Sequence, residues 1–254
     1  MRRLSAPKFR WKGTDSDTMG VYMVSMPTRG VAVLNGQKAN NLGRDGFTFY
    51  DEGGYGAVTI KCDIVVPDNT KLNAALAWLS GRDHLVFSDE SSYYWDAMVM
   101  TTFNRSSPAK RLEGQQMTIT WTCQPFRYIL NEAAEELVFT ANSTFQGKGH
   151  VPSRPLVKVE GASTADAPAA VDFLDSQGQH NIFNLILTQG TPLYIDCEAK
   201  AAYTQSGSGK VYAGDKVMIA AGADWWELRT DGNNYVAMAN GVDQVTVTPR
   251  WRFF

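Results

Sequence analysis

Six carboxylates in the later part of the chain, Asp172, Asp175, Asp196, Glu198, Asp224 and Glu227, are of the type that cleaves glycosidic bonds. That chemistry needs two acids facing each other across a cleft at a defined separation. The chain carries 26 acidic residues, and most carboxylates sit solvated on a surface, so type alone assigns no catalytic pair. Histidines offer no alternative. His84, His150 and His180 are scattered and none has metal-ligand spacing. No Gly-x-Ser-x-Gly nucleophile elbow occurs. Ser206-Gly207-Ser208-Gly209-Lys210 lacks the spacing of a phosphate loop and reads as a hairpin turn. No residue is assigned a catalytic role, and no cofactor or metal is expected.

Aromatic residues carry more information. Tyr93-Tyr94-Trp95 and Trp225-Trp226 place bulky rings side by side. Neighbours on a strand point to opposite faces, so each group is expected to expose at least one ring. An exposed ring beside Asp or Asn can stack on a sugar, which makes Trp225 and Trp226 the sugar-stacking candidates. Packing and subunit interfaces are the commoner uses of such rings.

The elements that would position these residues are mostly strands. Val58, Ile60, Cys62, Ile64 and Val66 alternate with polar residues, as do Met117, Ile119, Trp121 and Cys123, and later Val245 and Val247. That period of two predicts half-buried β-strands. Further strands are expected at Val21–Ser25, His84–Phe87, Trp95–Phe103, Leu156–Glu160, Ala170–Leu174, Asn184–Thr188, Leu193–Asp196 and Val217–Ala220. One segment differs: Leu72, Ala75, Leu76 and Leu79 form a helical stripe, with Asp68 as N-cap and Gly81 as the stop. A helix over about 68–80 follows. Asn131–Phe139 fits either a helix or a linker entering a strand. Gly53-Gly54, Asp231–Asn234 and Asn240-Gly241 read as hairpin or loop tips.

The fold class is therefore mainly β, in two domains: residues 1–132, with the helix, and residues 133–254. A polar stretch from Asn142 to Ser153 marks the boundary region. Net charge is −2, so no nucleic acid or anionic membrane is expected as main partner. No apolar run is long enough for a membrane helix, and Met1–Leu4 opens no apolar stretch of the kind a secretory signal uses. Cys62, Cys123 and Cys197 are far apart and odd in number, which points to buried free thiols.

The order of these landmarks resembles the distal tail proteins (Dit) of long-tailed phages. In the first half the resemblance runs through Asn41-Leu42-Gly43-Arg44-Asp45-Gly46, Val58–Val66 and Leu76-Ala77-Trp78-Leu79-Ser80-Gly81. It continues through Leu85–Asp89 with Tyr94, Met117–Cys123 and Gln124-Pro125-Phe126-Arg127-Tyr128. In the second half it rests on Arg154–Gly161, Leu193-Tyr194-Ile195-Asp196-Cys197-Glu198 and Thr248-Pro249-Arg250-Trp251-Arg252. The resemblance implies an N-terminal β-rich sandwich or split-barrel domain with one helix, assembling as a homo-hexameric ring around a DNA channel. It also implies a C-terminal galectin-like β-sandwich. Implied partners are the tail tube protein, the tail-tip hub or lysin protein and a receptor-binding protein, in a virion tail tip made in the host cytoplasm. Some members carry carbohydrate-binding modules in the second domain, whereas here that domain is compact. Lys71, Asn73 and Trp78 on the helix are the expected inter-subunit contacts. The competing expectation is a carbohydrate-binding adsorption module built on the C-terminal domain.

Overall fold

The computed structural model describes residues 7–40, 45–99, 104–105, 115–207 and 209–254. Met1–Leu4, the first part of the Asn41–Gly46 run, the end of the Trp95–Phe103 strand and Ser208 lie outside the described residues. The chain divides into two compact units, Met1–Leu130 with Phe254, and Asn131–Phe253.

In the first unit the strands are β1 (Phe9–Trp11), β2 (Thr14–Asp15), β3 (Tyr22–Met23), β4 (Leu34–Asn40), β5 (Phe47–Tyr55) and β6 (Val58–Val66). After the helix α1 (Leu72–Leu79) come β7 (Gly81–Phe87), β8 (Tyr93–Val99), β9 (Asn104–Arg105) and β10 (Gln115–Ile129). An antiparallel sheet runs β2-β1-β7-β8-β10-β6-β3, with β9 on the flank of β10. Its centre is the β6–β10 ladder, where Ile60 faces Trp121, Cys62 faces Ile119 and Ile64 faces Met117, all buried. This alternation was the strongest strand signal in the sequence. Three strand spacings separate β1 from β10 in the sheet, roughly 14 Å if it were flat. Yet the Phe9 and Trp121 rings meet edge to face at 5.2 Å, so the sheet is strongly curled around its apolar face.

The helix arises as its sequence demands. The Asp68 carboxylate accepts hydrogen bonds from the backbone N–H and hydroxyl of Thr70, and a 3-10 turn over Asn69–Lys71 leads into α1. Leu72, Ala75 and Leu79 are buried against the sheet. Trp78 fastens the other end: its indole N–H donates to the Trp11 carbonyl at 3.2 Å while the Trp11 indole donates to the Trp78 carbonyl at 3.0 Å. Its ring also stacks on Phe9 at 5.7 Å.

In the second unit the strands are β11 (Leu137–Phe139), β12 (Ser143–Gln146), β13 (Leu156–Gly161), β14 (Ala169–Leu174), β15 (His180–Leu185) and β16 (Leu193–Asp196). They continue as β17 (Ala201–Ser206), β18 (Gly209–Tyr212), β19 (Val217–Ile219), β20 (Asn233–Met238) and β21 (Val242–Thr248). One sheet has the order β11-β21-β13-β16-β17-β18 and the other β12-β20-β14-β15-β19. Val157, Val159, Ile195, Val245 and Val247 from the first, and Val171, Phe173, Phe183 and Val236 from the second, make a buried core, so this unit is a β-sandwich. Asn131–Phe139 resolves into a 3-10 turn followed by β11.

Two sequence expectations need correction. The strand placed at Asn184–Thr188 lies at His180–Leu185 instead. Apolar residues there occupy both phases of the alternation, and pairing with β14 (Leu174 opposite His180) selects the earlier frame. Gly53-Gly54 is not a loop tip but sits within β5, with φ of 73° and 80°, where the pairing with β4 shifts register. Their freedom at positive φ is what a bulge uses. Asn240-Gly241 is a loop tip as expected, at the turn between β20 and β21, which belong to different sheets. Gly241 has φ of 90°, and a Cβ there would approach the Ala162 carbonyl to 2.7 Å, so the crossover requires glycine.

Candidate functional site

The six candidate carboxylates share one fate. Asp172 pairs with His180 at 2.6 Å, Asp175 with Arg229 at 3.3 Å, Asp196 with Arg250 at 2.7 Å and Asp224 with Lys200 at 3.7 Å. Glu198 lies 2.9 Å from Arg252 and Glu227 2.8 Å from Arg154. Each lies against a basic partner, and Asp196 and Glu198 share Arg250. No group of three or more His, Cys, Asp or Glu is placed to hold a metal among the described residues. His84 stacks on Tyr94 at 3.9 Å, a packing role. The three cysteines are buried and free, and burial pushes each thiol up to about 12.

The paired aromatics are more enclosed than expected, none of the five being fully exposed. Trp226 is 0% exposed, its ring stacked on Phe173 at 4.2 Å in the sandwich core. Both faces being closed, Trp226 is withdrawn as a sugar platform. Trp225 is half-buried with its ring edge-on to Phe183 at 6.0 Å. Of the other group, Tyr94 and Trp95 are buried, and half-buried Tyr93 is covered by the Arg127 guanidinium 5.3 Å above its ring. Ser206 pairs with Gly209 at the close of the β17–β18 hairpin, and Lys210 lies 4.2 Å over the Tyr203 ring, which supports the turn reading of that segment.

On the helix, Lys71 and Asn73 are exposed, whereas Trp78 is half-buried in the contacts with Phe9 and Trp11 described above. Sequence reasoning missed a larger exposed feature. β4 and β5 form a two-stranded arm on their own, outside the main sheet. Phe47, Phe49 and Tyr50 on it are 55%, 41% and 59% exposed, and Val31 and Val33 at its entrance are exposed as well. The base is anchored: the Gly56 N–H donates to the Val33 carbonyl, and the Tyr55 ring lies 5.0 Å from Phe126 and 5.7 Å from Phe254. Phe126 reaches that position because β10 bulges between Cys123 and Arg127, where Pro125 has no N–H to give to a ladder. The exposed aromatics of Phe47-Thr48-Phe49-Tyr50 were the available signal.

Two of the segments on which the family resemblance rests turn out to be partners. Arg250 grips Asp196 through both terminal nitrogens, at 2.7 and 3.1 Å, and Arg252 reaches Glu198. Burial alone would raise the Asp196 pKa. The guanidinium and the backbone N–H groups of Ala199 and Glu198 outweigh it and hold the carboxyl below its ordinary range. Arg250 sits at φ of 52°, a left-handed conformation that costs a non-glycine residue about 1 kcal/mol. The bidentate pair holds it there.

No family model matches the sequence, and no curated protein matches it closely enough to count. Solved structures do match in fold. The Dit protein (gp 19.1) of phage SPP1, described as a paradigm of the hub adsorption apparatus in phages infecting Gram-positive bacteria, superposes with a TM-score of 0.71. The identity is 15%, over 96% of this chain and 98% of that one. A chain of the phage P2 baseplate in its activated conformation with Ca matches at a TM-score of 0.50 and 10% identity, over 95% of this chain and 96% of that one. The fold of this chain is thus that of a phage Dit hub protein, both units included.

Proposed function

We propose that this chain is a structural protein of a phage tail tip, and that six copies close into a hub ring. The ring joins the tail tube protein to the tail-tip protein and leaves a channel for DNA, with a receptor-binding protein attached to the same assembly. The observation that carries this reading is the fold shared with the SPP1 hub protein across 96% of the chain. The lone arm supports it. An isolated hairpin is marginal in water, and exposed aromatics on one call for a surface to cover them. In a ring of head-to-tail contacts that surface is the next copy of the chain. Pairing of all six candidate carboxylates supports a structural rather than a hydrolytic role.

The test is the mass of the purified protein across a concentration series, by light scattering or mass photometry. A species near six times the 28.0 kDa chain mass is the expected outcome, with a central opening on imaging. A monomer at every concentration would reject a ring that closes by itself.

A further inference from the structure

The outer face of the five-stranded sheet in the second unit carries a row of side chains in register. Thr144 on β12 lies opposite Tyr235 on β20, Tyr235 opposite Leu174 on β14, and Leu174 opposite His180 on β15. Directly paired residues share a face, so these four form one line across four strands, spaced by about 4.8 Å. At the end of the row the loops after β14 and before β20 enclose an open cleft of about 620 Å³. Thr144, Leu174, Asp175, Ser176, Asp231, Asn233 and Tyr235 contribute to its walls.

Those walls are held in place from behind. One Asp175 oxygen accepts from the N–H groups of Gln177 and Gln179, both at 2.9 Å, and the other accepts from Arg229. The Ser176 hydroxyl donates to Asp231 at 2.8 Å. In front, the side chains of Thr144, Asn233 and Tyr235 make no hydrogen bond to protein among the described residues. Beside them, exposed His180 is oriented through Nδ1 by Asp172.

We propose that this cleft is a saccharide site that takes an uncharged, hydroxyl-rich sugar ring against Tyr235. The chemistry of the lining narrows the ligand. No Lys or Arg lines it, which argues against phosphate and other anions. Asp175 has both oxygens committed and Asp231 has one of its own taken by Ser176, which leaves too few oxygen donors for a divalent cation. Tyr235 and Leu174 are too small an apolar area for a lipid or an apolar peptide. What remains is one aromatic ring flanked by the amide of Asn233 and the hydroxyls of Thr144 and Tyr235, which suits a ring with C–H groups on its face and hydroxyls on its rim. The site moves the sugar-binding expectation from Trp226, which the core has absorbed, to Tyr235. It does not depend on the hub reading: a ring can form whether or not this cleft is filled.

Saturation-transfer NMR on the full chain, with N-acetylglucosamine tetramer, cellotetraose, mannobiose and lactose each at about 10 mM, addresses it at the millimolar strength of a single-ring site. At least one probe is expected to bind. Tyr235→Ala and Asn233→Ala are each expected to weaken it by about tenfold or more, a loss of about 1.4 kcal/mol. Trp225→Ala is expected to leave binding intact. Tyr235→Phe keeps the ring and removes the hydroxyl, so a smaller loss is expected; with Asn233→Ala it decides the matter if Tyr235→Ala does not fold. Silence from all four probes overturns the proposal, as does binding that survives the Tyr235 and Asn233 changes or disappears in Trp225→Ala.

Discussion

At the scale of single residues, ion pairing governs what the polar side chains do. Asp196 and Arg250 are the clearest case, since 10% and 22% of their side-chain surfaces remain exposed. Replacing Arg250 by Ala strands a mostly buried carboxylate and is expected to cost about 3 kcal/mol of stability at neutral pH. The pH dependence has a definite sign. A carboxyl whose pKa is lower folded than unfolded contributes stability that is fully present above its unfolded value of about 3.9. That contribution disappears as pH falls through the lowered folded value. Urea midpoints measured at about pH 7 and pH 2.5 should therefore show the gap between wild type and Arg250→Ala narrowing in acid. An unchanged gap would assign the loss to packing instead. Little of this was visible in the sequence: Leu193–Glu198 and Thr248–Arg252 stood out separately, but Arg250 lies 54 positions after Asp196 and only folding makes them partners. Trp225-Trp226 stood out as a pair, but the two lie outside any strand, so strand alternation could not say that the core would take Trp226 onto Phe173.

The elements divide into those with one apolar phase and those without. β6, β10 and β21 announced themselves because their apolar residues alternate with polar ones, and the sheets bury them. The helix was equally plain, from its cap to its stripe. The arm escaped notice because Phe47, Phe49 and Tyr50 face no core of their own chain, and the glycines at its base interrupt any pattern. Exposure makes a prediction for the arm. Phe47→Ser with Tyr50→Ser is expected to leave the thermal midpoint of the monomer nearly unchanged while abolishing higher oligomers in mass photometry. The helix offers a parallel test, with Lys71→Glu and Asn73→Glu together expected to weaken assembly; unaltered oligomers would remove that helix face from the interface. Trp78→Ala belongs to a different class. By breaking both indole–carbonyl bonds and the stack on Phe9, it is expected to destabilise the unit by about 3 kcal/mol in denaturant melts.

For the molecule as a whole, the character of its exposed surface sets how assembly should respond to solvent. If aromatic side chains of the arm supply the contact, oligomers should persist at about 0.5 M salt, where exposed charge pairs are screened within a few ångströms. Dissociation by salt alone would shift the contact to charged residues such as Lys71. The division into two units leaves one residue out of sequence order: Phe254 packs with Tyr55 and Phe126, and Arg127 donates to its carbonyl, within the unit built otherwise from residues up to Leu130. Translation reads the chain in the opposite sense. When Leu130 leaves the ribosome, the aromatic pocket at the base of the arm still lacks its last occupant. Synthesis at about 5–20 residues per second keeps it open for roughly ten seconds, until residue 254 emerges. The arm's anchorage is thus completed last, so a nascent chain carries the whole second unit before its first is fully closed.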